Sequence, residues 1–373
     1  MKFEIKQNIL MENLNYVIKG ISSKNLIPIL NCIKFELTNT GLFLISTNND
    51  ISIKTFIDSE QIEKIDKCGE MVVSGKFIYE IIRKLPNEII LLEEIFDSTL
   101  SISSSSSTFK LNCNDVSEYP NIDLDEKKNP IVLTNKVLKN LIHQTVFASS
   151  VQESRPILTG INFKIEDDVL ECTATDSYRL SKKVIKLKEN INEKVSIIIP
   201  SKNINELNKL LIDDESLIEL HIFNNKIIFK FNNILFMSRL INGTYPDTSK
   251  LIPSDFKIVL RTSLDKLYNS IDRASLLTNE LDKNTIRLET NQDDVTISSN
   301  IPEIGNVKEK LVVENIKKED IKISFSSKYM LEALRNMECE DVELLLNGEI
   351  KPIIIKNVTD DGLIQLILPI RTY

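Results

Sequence analysis

Ser201-Lys202-Asn203-Ile204 leads into the run Asn205 to Leu211, and the same opening stands at two other places in the chain. Ser74-Gly75-Lys76-Phe77-Ile78 precedes Tyr79 to Leu85, and Ser327-Lys328-Tyr329-Met330 precedes Leu331 to Met337. Lys76, Lys202 and Lys328 are spaced 126 positions apart. In each copy a Ser or Gly near the start can cap a helix, and apolar residues follow at helical period. Even spacing of about a third of 373 residues predicts three copies of one structural unit.

A second helix precedes it in each unit. It runs through Ile9, Leu10 and Leu14, through Val137, Leu138, Leu141 and Ile142, and through Leu264 and Leu267, so that Leu14, Leu141 and Leu267 lie 127 and 126 apart. Short strands are expected before these helices, at Lys2 to Lys6, Pro130 to Thr134 and Lys257 to Arg261. Pro28-Ile29-Leu30 repeats as Pro156-Ile157-Leu158, Phe35-Glu36-Leu37 as Phe163-Lys164-Ile165, and Tyr119-Pro120-Asn121 as Tyr245-Pro246-Asp247. The third unit fills the matching strands more loosely, at Ile286-Arg287-Leu288 and Val295-Thr296-Ile297.

Hairpin strands follow each later helix: Ile89 to Leu92, Thr99 to Ser103 and Thr108 to Cys113 in the first unit; Leu217 to Phe223, Lys226 to Phe231 and Ile234 to Leu240 in the second; Val342 to Leu346, Ile353 to Asn357 and Gly362 to Leu368 in the third. Asn224-Asn225 and Asn232-Asn233 suit the tight turns. The serine run Ser101 to Ser107 reads as a solvated edge strand or loop. Each unit is thus α+β, with two helices packed on β-sheets. The polar, Pro-bearing stretches Asn121 to Pro130 and Thr248 to Asp255 are the expected linkers, giving domains 1–122, 130–249 and 251–373.

The formal charge is -8, which by itself argues against a generally basic nucleic-acid surface. Its distribution says more. The six helical windows together carry +7, leaving -15 for the rest. Basic helices on an acidic body suit a wall facing phosphates, although on charge alone an ordinary solvated helix surface weighs equally. Five cysteines scattered along the chain indicate neither a disulfide framework nor a zinc site, and fit a reducing cytosol. No signal peptide or membrane span is expected. Nucleotide-binding glycine motifs and an H-E-x-x-H motif are absent. His143 and His221 sit in no nucleophile-pairing pattern, and Asp176 has no second carboxylate in a recognisable metal-binding pattern, so no catalysis, cofactor or metal is expected.

Several segments resemble the bacterial DNA polymerase III beta subunit, the replicative sliding clamp. The start Met1-Lys2-Phe3, followed by Leu10 and Leu14, is similar to the family's N-terminus. Pro28-Ile29-Leu30 resembles its Leu-Pro-Ile-Leu segment. Ala174-Thr175-Asp176-Ser177-Tyr178-Arg179-Leu180 resembles a highly specific family motif. Asn242-Gly243-Thr244-Tyr245-Pro246-Asp247 resembles its Gly-x-Phe/Tyr-Pro-Asp turn, and Leu368-Pro369-Ile370-Arg371 its C-terminal segment. These matches span essentially the whole chain.

The resemblance implies two chains pairing head to tail, six similar domains closing a ring with helices inside, and no enzymatic activity. It implies a cytoplasmic, nucleoid-associated processivity factor. Its partners would be duplex DNA, the DNA polymerase III alpha subunit, a clamp loader, and other polymerases and repair proteins bearing short clamp-binding peptides. A peptide pocket would use Leu158, Thr175, Ser177, Tyr178, Arg179, Leu180, Pro246, Lys250, Leu251, Leu366, Ile367, Leu368, Pro369, Ile370 and Arg371. Apolar walls would bury peptide side chains while Arg and Thr hold its backbone. Taken singly, Leu180, Leu366 and Leu368 read as core. Thr372 and Tyr373 extend past the family's end, and Tyr373 would narrow the groove. DNA contacts would fall on Lys24, Lys76, Gln152, Arg155 and Lys202, each alone an ordinary surface residue. The dimer seam would use Phe109 and Leu111 against Leu276 and Leu277, with Leu276 equally readable as core. The seam segment Pro302 to Glu309 has fewer acids than the family pattern.

Overall fold

The computed structural model describes residues 1–22, 26–96, 98–127, 129–291, 294–316 and 319–371. Its helices are α1 Gln7–Val17, α2 Gly75–Lys84, α3 Asn135–Thr145, α4 Ser201–Asn208, α5 Leu264–Ser275 and α6 Ser327–Arg335. These are the two helices per repeat that the periodicity predicts. The buried stripes follow helical spacing: Leu10, Leu14 and Val17 in α1, Ile78 and Ile82 in α2, Leu267, Ile271 and Ala274 in α5, and Met330, Ala333 and Leu334 in α6. Each such Leu, Ile, Val or Met contributes roughly 1.5–3 kcal/mol by leaving water.

The capping expectation needs correction. Ser74 and Ser326 occupy the N-cap positions of α2 and α6, yet neither side chain accepts a cap hydrogen bond. Ser327 Oγ instead donates to the Asn284 carbonyl at 3.0 Å. These short helices are held by their packed faces rather than by caps.

Contacts divide the chain into two compact units, 1–139 with 202–240 and 140–201 with 241–373. The first unit holds an antiparallel sheet of thirteen strands. In spatial order they are Ile131–Thr134, Leu217–Ile222, Lys226–Phe231, Ile234–Arg239, Ile51–Asp58, Gly41–Thr47, Cys32–Thr38, Gly69–Ser74, Thr108–Asn114, Thr99–Ser103, Ile89–Ile95, Lys2–Lys6 and Ile62–Lys67. Strand Gly69–Ser74 meets strand Thr108–Asn114 through just two pairs, Val72 with Asn114 and Val73 with Cys113. Residues 108–112 therefore have a strand partner on one side only among the described residues.

The serine run divides. Ser101 to Ser103 lie in an interior strand paired on both sides, with Leu100 and Ile102 fully buried, and only the turn beyond Ser103 is loop. Period-two alternation outweighs low complexity there.

The second unit has two antiparallel sheets. The larger runs Gly160–Thr175, Arg179–Pro200, Leu363–Ile367, Ile353–Asn357, Asp341–Leu346, Ile258–Ser263 and Glu314–Asn315. The smaller runs Gly305–Val312, Asp294–Ile301, Thr285–Asn291 and Lys322–Ser326, so Gly305–Val312 is an edge strand. Side chains from α5, α6 and both sheets fill one core around Leu267, Phe325, Met330 and Leu344.

The two first strands of the larger sheet are 16 and 22 residues long, far longer than the Phe163-Lys164-Ile165 segment suggested. The polar stretch Glu166 to Asp168 does not end the first of them: it holds an irregularity at Asp167, with φ of 55°, and pairing resumes beyond it. Among the described residues no helix is long and apolar enough to cross a membrane.

Candidate functional site

The segment Thr175–Arg179 is a hairpin turn closed by its own side chains. Thr175 Oγ1 donates to the Arg179 carbonyl at 2.5 Å and accepts from the Ser177 N–H at 3.2 Å. Asp176 Oδ1 accepts from the N–H groups of Tyr178 and Arg179 at 2.9 and 3.0 Å. Ser177 has φ of 79°, the left-handed conformation this turn demands. A hydroxyl followed directly by an Asx residue competes with strand pairing, and here the two end it.

Arg179 locks the turn to its surroundings. Its Nε donates to Asp176 Oδ2 at 3.1 Å, Nη1 reaches the Glu332 carboxylate on α6, and Nη2 donates to the Phe147 carbonyl at 2.7 Å. The guanidinium also lies over the Tyr329 ring, 4.6 Å from its centroid. These bonds engage the polar groups of Arg179 and Thr175 inside the protein, where they hold the turn.

Beside the turn lies a cavity of about 500 Å³. Among its lining residues are five of the expected set, Leu158, Thr175, Ser177, Pro246 and Leu251, joined by Pro156, Ile157, Asp247 and Thr248. The last four are not in the expected set, although Pro156-Ile157-Leu158 and Tyr245-Pro246-Asp247 are the two repeated segments that signal them. Tyr245 ties the wall to the turn: its hydroxyl accepts from the Thr175 N–H at 3.0 Å, and burial pushes its phenol far above the usual range. Gly243 has φ of 140°, and a Cβ there would come within 2.8 Å of the Ile157 side chain, so the turn that delivers Tyr245 requires glycine.

The remaining expected pocket residues divide by burial. Leu180 and Leu366, read singly as core, belong to an interior cluster with Leu345 and Ile354, but Leu368, read the same way, is exposed just past the end of its strand and is not core. Ile367 is also fully buried. Tyr178 and Leu368 are exposed, and the Leu368 N–H donates to the Tyr178 carbonyl at 2.9 Å. The Ile370 N–H donates to the Ser324 carbonyl at 2.7 Å, which fastens the stretch carrying Pro369. Lys250 and Arg371 are exposed, and neither lines the cavity. Thr372 and Tyr373 lie outside the described residues, so the narrowing expected of Tyr373 falls there too.

Lys76 and Lys202 are exposed at the second positions of α2 and α4, and Lys328 repeats the placement in α6. A lysine there opposes the helix dipole, at a cost of roughly 0.3–1 kcal/mol, while adding to the pull on an anion. Gln152 is exposed. Arg155, expected among the DNA contacts, lines the cavity instead and donates to Ser177 Oγ at 3.1 Å. Lys24 lies outside the described residues.

Phe109 is partly exposed and Leu111 half-buried on the open part of strand Thr108–Asn114. Leu276 is 79% exposed and Leu277 half-buried, directly after α5, so Leu276 is not a core residue of this chain. Arg273 of α5 pairs with Glu309 on the edge strand at 2.7 Å.

Titratable clusters are used structurally. Asp176 caps the turn. Glu126, Glu219 and His221 bring one potential ligand atom each within 4.8 Å of one another. His221 Nδ1 already accepts from the Lys127 N–H at 2.9 Å, Nε2 faces Glu219 at 3.2 Å, and Lys230 Nζ sits 2.6 Å from Glu126. Because Nδ1 already accepts a hydrogen bond, a metal on Nε2 would require the imidazolate, and the Lys230 ammonium already pairs with both carboxylates.

Models of the DNA polymerase III beta subunit match the chain end to end: the N-terminal domain over residues 1–123, the central domain over 132–247 and the C-terminal domain over 249–371. The beta sliding clamp of Bacillus subtilis (strain 168) is 40% identical over 378 residues, and that of Staphylococcus aureus 41% identical over 377, each alignment covering all of both chains. Among solved structures, the DNA polymerase sliding clamp from Bacillus subtilis superposes with a TM-score of 0.96 at 40% identity over the whole of both chains. The DNA polymerase III beta chain from Streptococcus pneumoniae does so at 0.95 and 35%, again over both whole chains. The chain belongs to the DNA polymerase III beta subunit family, the sliding clamps.

Proposed function

We propose that two copies of this chain pair head to tail and close a six-domain ring around duplex DNA. The ring is a cytoplasmic, nucleoid-associated processivity factor. It tethers the DNA polymerase III alpha subunit and other replication and repair proteins, and a clamp loader places it on DNA. The family is the processivity subunit of the polymerase and is non-catalytic. Within each chain the repeats give three domains, 1–122, 130–249 and 251–373.

Three lysines at one position of three repeated helices support a wall that attracts phosphates without reading bases. Lys76, Lys202 and Lys328 would carry this, with Lys24 and Gln152 beside them. Two unpaired strand edges, residues 108–112 and Gly305–Val312, support the seam, because a head-to-tail closure pairs what would otherwise invite aggregation. Phe109 and Leu111 would meet Leu276 and Leu277 there.

The observation that carries partner binding is the cavity beside Thr175–Arg179. Its Ile157, Leu158 and Leu251 walls suit the apolar side chains of a short peptide, with Tyr178, Leu368, Pro369 and Ile370 flanking it. Thr175 lines the cavity, and Arg179 holds the turn that carries it.

The test of the ring is retention on DNA at high salt after loading. Electrostatic binding fades with salt on circular and linear DNA alike. A closed ring stays on nicked circles and leaves once they are linearised. Equal loss from both forms, with an active and compatible loader, would sink the encirclement.

A further inference from the structure

We infer that the first unit carries a second binding cavity, a polar counterpart of the one at Thr175–Arg179, which takes an acidic peptide segment. This rests on reading the second-unit cavity as a peptide pocket.

The side-chain-to-backbone bonds of the turn are duplicated, with one addition: Thr47 Oγ1 also accepts from the Ser52 hydroxyl at 2.8 Å. Thr47 Oγ1 donates to the Ile51 carbonyl at 3.0 Å and accepts from the Asn49 N–H at 3.3 Å. Asn48 Oδ1 accepts from the N–H groups of Asp50 and Ile51, both at 3.0 Å. Asn49 has φ of 76°. Each residue from Thr47 to Ile51 stands 128 positions before its counterpart in Thr175–Arg179. The neighbouring strand repeats as well: the Arg239 N–H donates to the Asp50 carbonyl at 2.9 Å, as the Leu368 N–H does to Tyr178. Tyr119-Pro120 stands where Tyr245-Pro246 stands, and the Tyr119 hydroxyl donates to the Ile45 carbonyl at 3.2 Å.

The cavity beside this turn measures about 250 Å³, and its lining has changed character. Ile122, at the place of Thr248, packs with Ile29 on the cluster of Cys32, Val72 and Tyr119 and fills the apolar floor. Arg239 replaces Leu368 at the rim. It is exposed, and among the described residues its guanidinium has no hydrogen bond or ion pair. The second cation, Lys226, is nearly buried and already holds the Asp123 carboxylate at 2.6 Å. An acidic side chain of the linker thus occupies one cationic place, and Arg239 offers the other as an open fork for a carboxylate. Asn49 and Asn225 add amides to the lining for a peptide backbone.

A peptide fits better than a nucleic acid. The cavity takes one or two side chains, and its single open guanidinium answers one carboxylate rather than an array of phosphates.

The experiment uses the full-length chain with methyl NMR. Met237 reports the first-unit cavity and Ile157 the second-unit cavity, since each lines its own. The probes are hexaglutamate, a peptide ending in leucine and phenylalanine, and a single-stranded oligothymidylate. Hexaglutamate should shift Met237 and leave Ile157 in place, and Arg239→Glu should weaken that binding about tenfold or more. Arg239→Gln should weaken it less, and neither substitution removes the backbone bond to Asp50. The proposal is overturned if hexaglutamate leaves Met237 unmoved, if its affinity is the same in Arg239→Glu, or if oligothymidylate alone moves Met237. Failure of the apolar peptide to shift Ile157 is a separate result that overturns the second-unit peptide pocket.

Discussion

Two turns, Thr47–Ile51 and Thr175–Arg179, close through the same pattern of side-chain-to-backbone hydrogen bonds, but they end on different residues. Ile51 is 2% exposed and goes into a core. Arg179, 9% exposed, carries a charge that must be answered by Asp176, Glu332, a carbonyl and an aromatic face. The polar turn chemistry sets the shape of the backbone, and the closing residue decides what the turn is tied to. In the second unit it is tied to α6, and the cavity beside it keeps apolar walls. In the first unit the apolar floor is filled by Ile122 and the rim is cationic.

The largest expected effect is at Arg179. Arg179→Ala strands two carboxylates, and by the cost of breaking a largely buried pair it should destabilise the chain by about 3 kcal/mol, read from urea unfolding. Peptide affinity at the second-unit cavity should fall with it. Ile51→Ala should cost about 2–3 kcal/mol through lost burial alone, with second-unit peptide affinity unchanged. Equal effects on that affinity would erase the distinction between the two closing residues.

Next come Thr47→Val and Thr175→Val. Both hydroxyls donate once, but Thr175 Oγ1 accepts once and Thr47 Oγ1 twice, since the buried Ser52 hydroxyl also donates to it at 2.8 Å. Each should cost about 1–2 kcal/mol, with Thr47→Val the larger because it leaves the Ser52 hydroxyl without its acceptor. Equal costs in urea unfolding would show that the extra bond adds nothing. Leu251→Ala trims a half-exposed wall of the second-unit cavity. It should leave stability nearly unchanged and weaken an apolar-ended peptide about tenfold.

The smallest effect concerns one carboxylate in the lining of each cavity, Asp123 and Asp247. A hydrogen bond from the Lys226 ammonium, helped by the Asp125 N–H, holds Asp123 below the usual carboxylate range. Asp247 is held below it by the Ser249 hydroxyl and N–H. Both pKa values are depressed in the folded chain. The stability each adds is therefore present above the ordinary aspartate range and disappears as pH falls through the lower, folded value. Both groups are exposed, so the contribution is small. Salt separates them: raising it to about 1 M should lift Asp123 towards its ordinary value and move Asp247 little, as a carboxyl NMR titration would show.

Much of this was legible in the sequence, and the gaps have physical causes. Helical periodicity and the evenly spaced lysines located all six helices, because apolar spacing is set by local geometry. The strands Lys226–Phe231 and Ile353–Asn357 were readable to the residue, bounded as they are by turn-forming or polar segments. The long strands of the second unit were not, because a bulge at Asp167 lets polar residues continue a strand that composition says has ended. The cavity walls at Leu158 and Leu251 were visible through resemblance, but the role of Arg179 was not: its partners Phe147 and Glu332 are far off in sequence. The first-unit cavity escaped notice because Thr47-Asn48-Asn49-Asp50-Ile51 shares little spelling with Thr175-Asp176-Ser177-Tyr178-Arg179. What they share is an Asx oxygen, a hydroxyl and a left-handed residue, and that equivalence appears only when hydrogen bonds are compared.

The strand pair Gly160–Thr175 and Arg179–Pro200 also has a kinetic meaning. Its register runs from Thr175 opposite Leu180 out to Gly160 opposite Pro200, so every pairing can be added outward from the turn without closing a large loop. Strand Lys2–Lys6, by contrast, waits for Ile89–Ile95, which must be brought back across the whole first repeat. The long hairpin should therefore zip early. Slackening its turn with Thr175→Val should slow refolding, whereas Phe3→Leu in the first strand should chiefly speed unfolding. In stopped-flow refolding the turn substitution would then show the higher φ-value of the two.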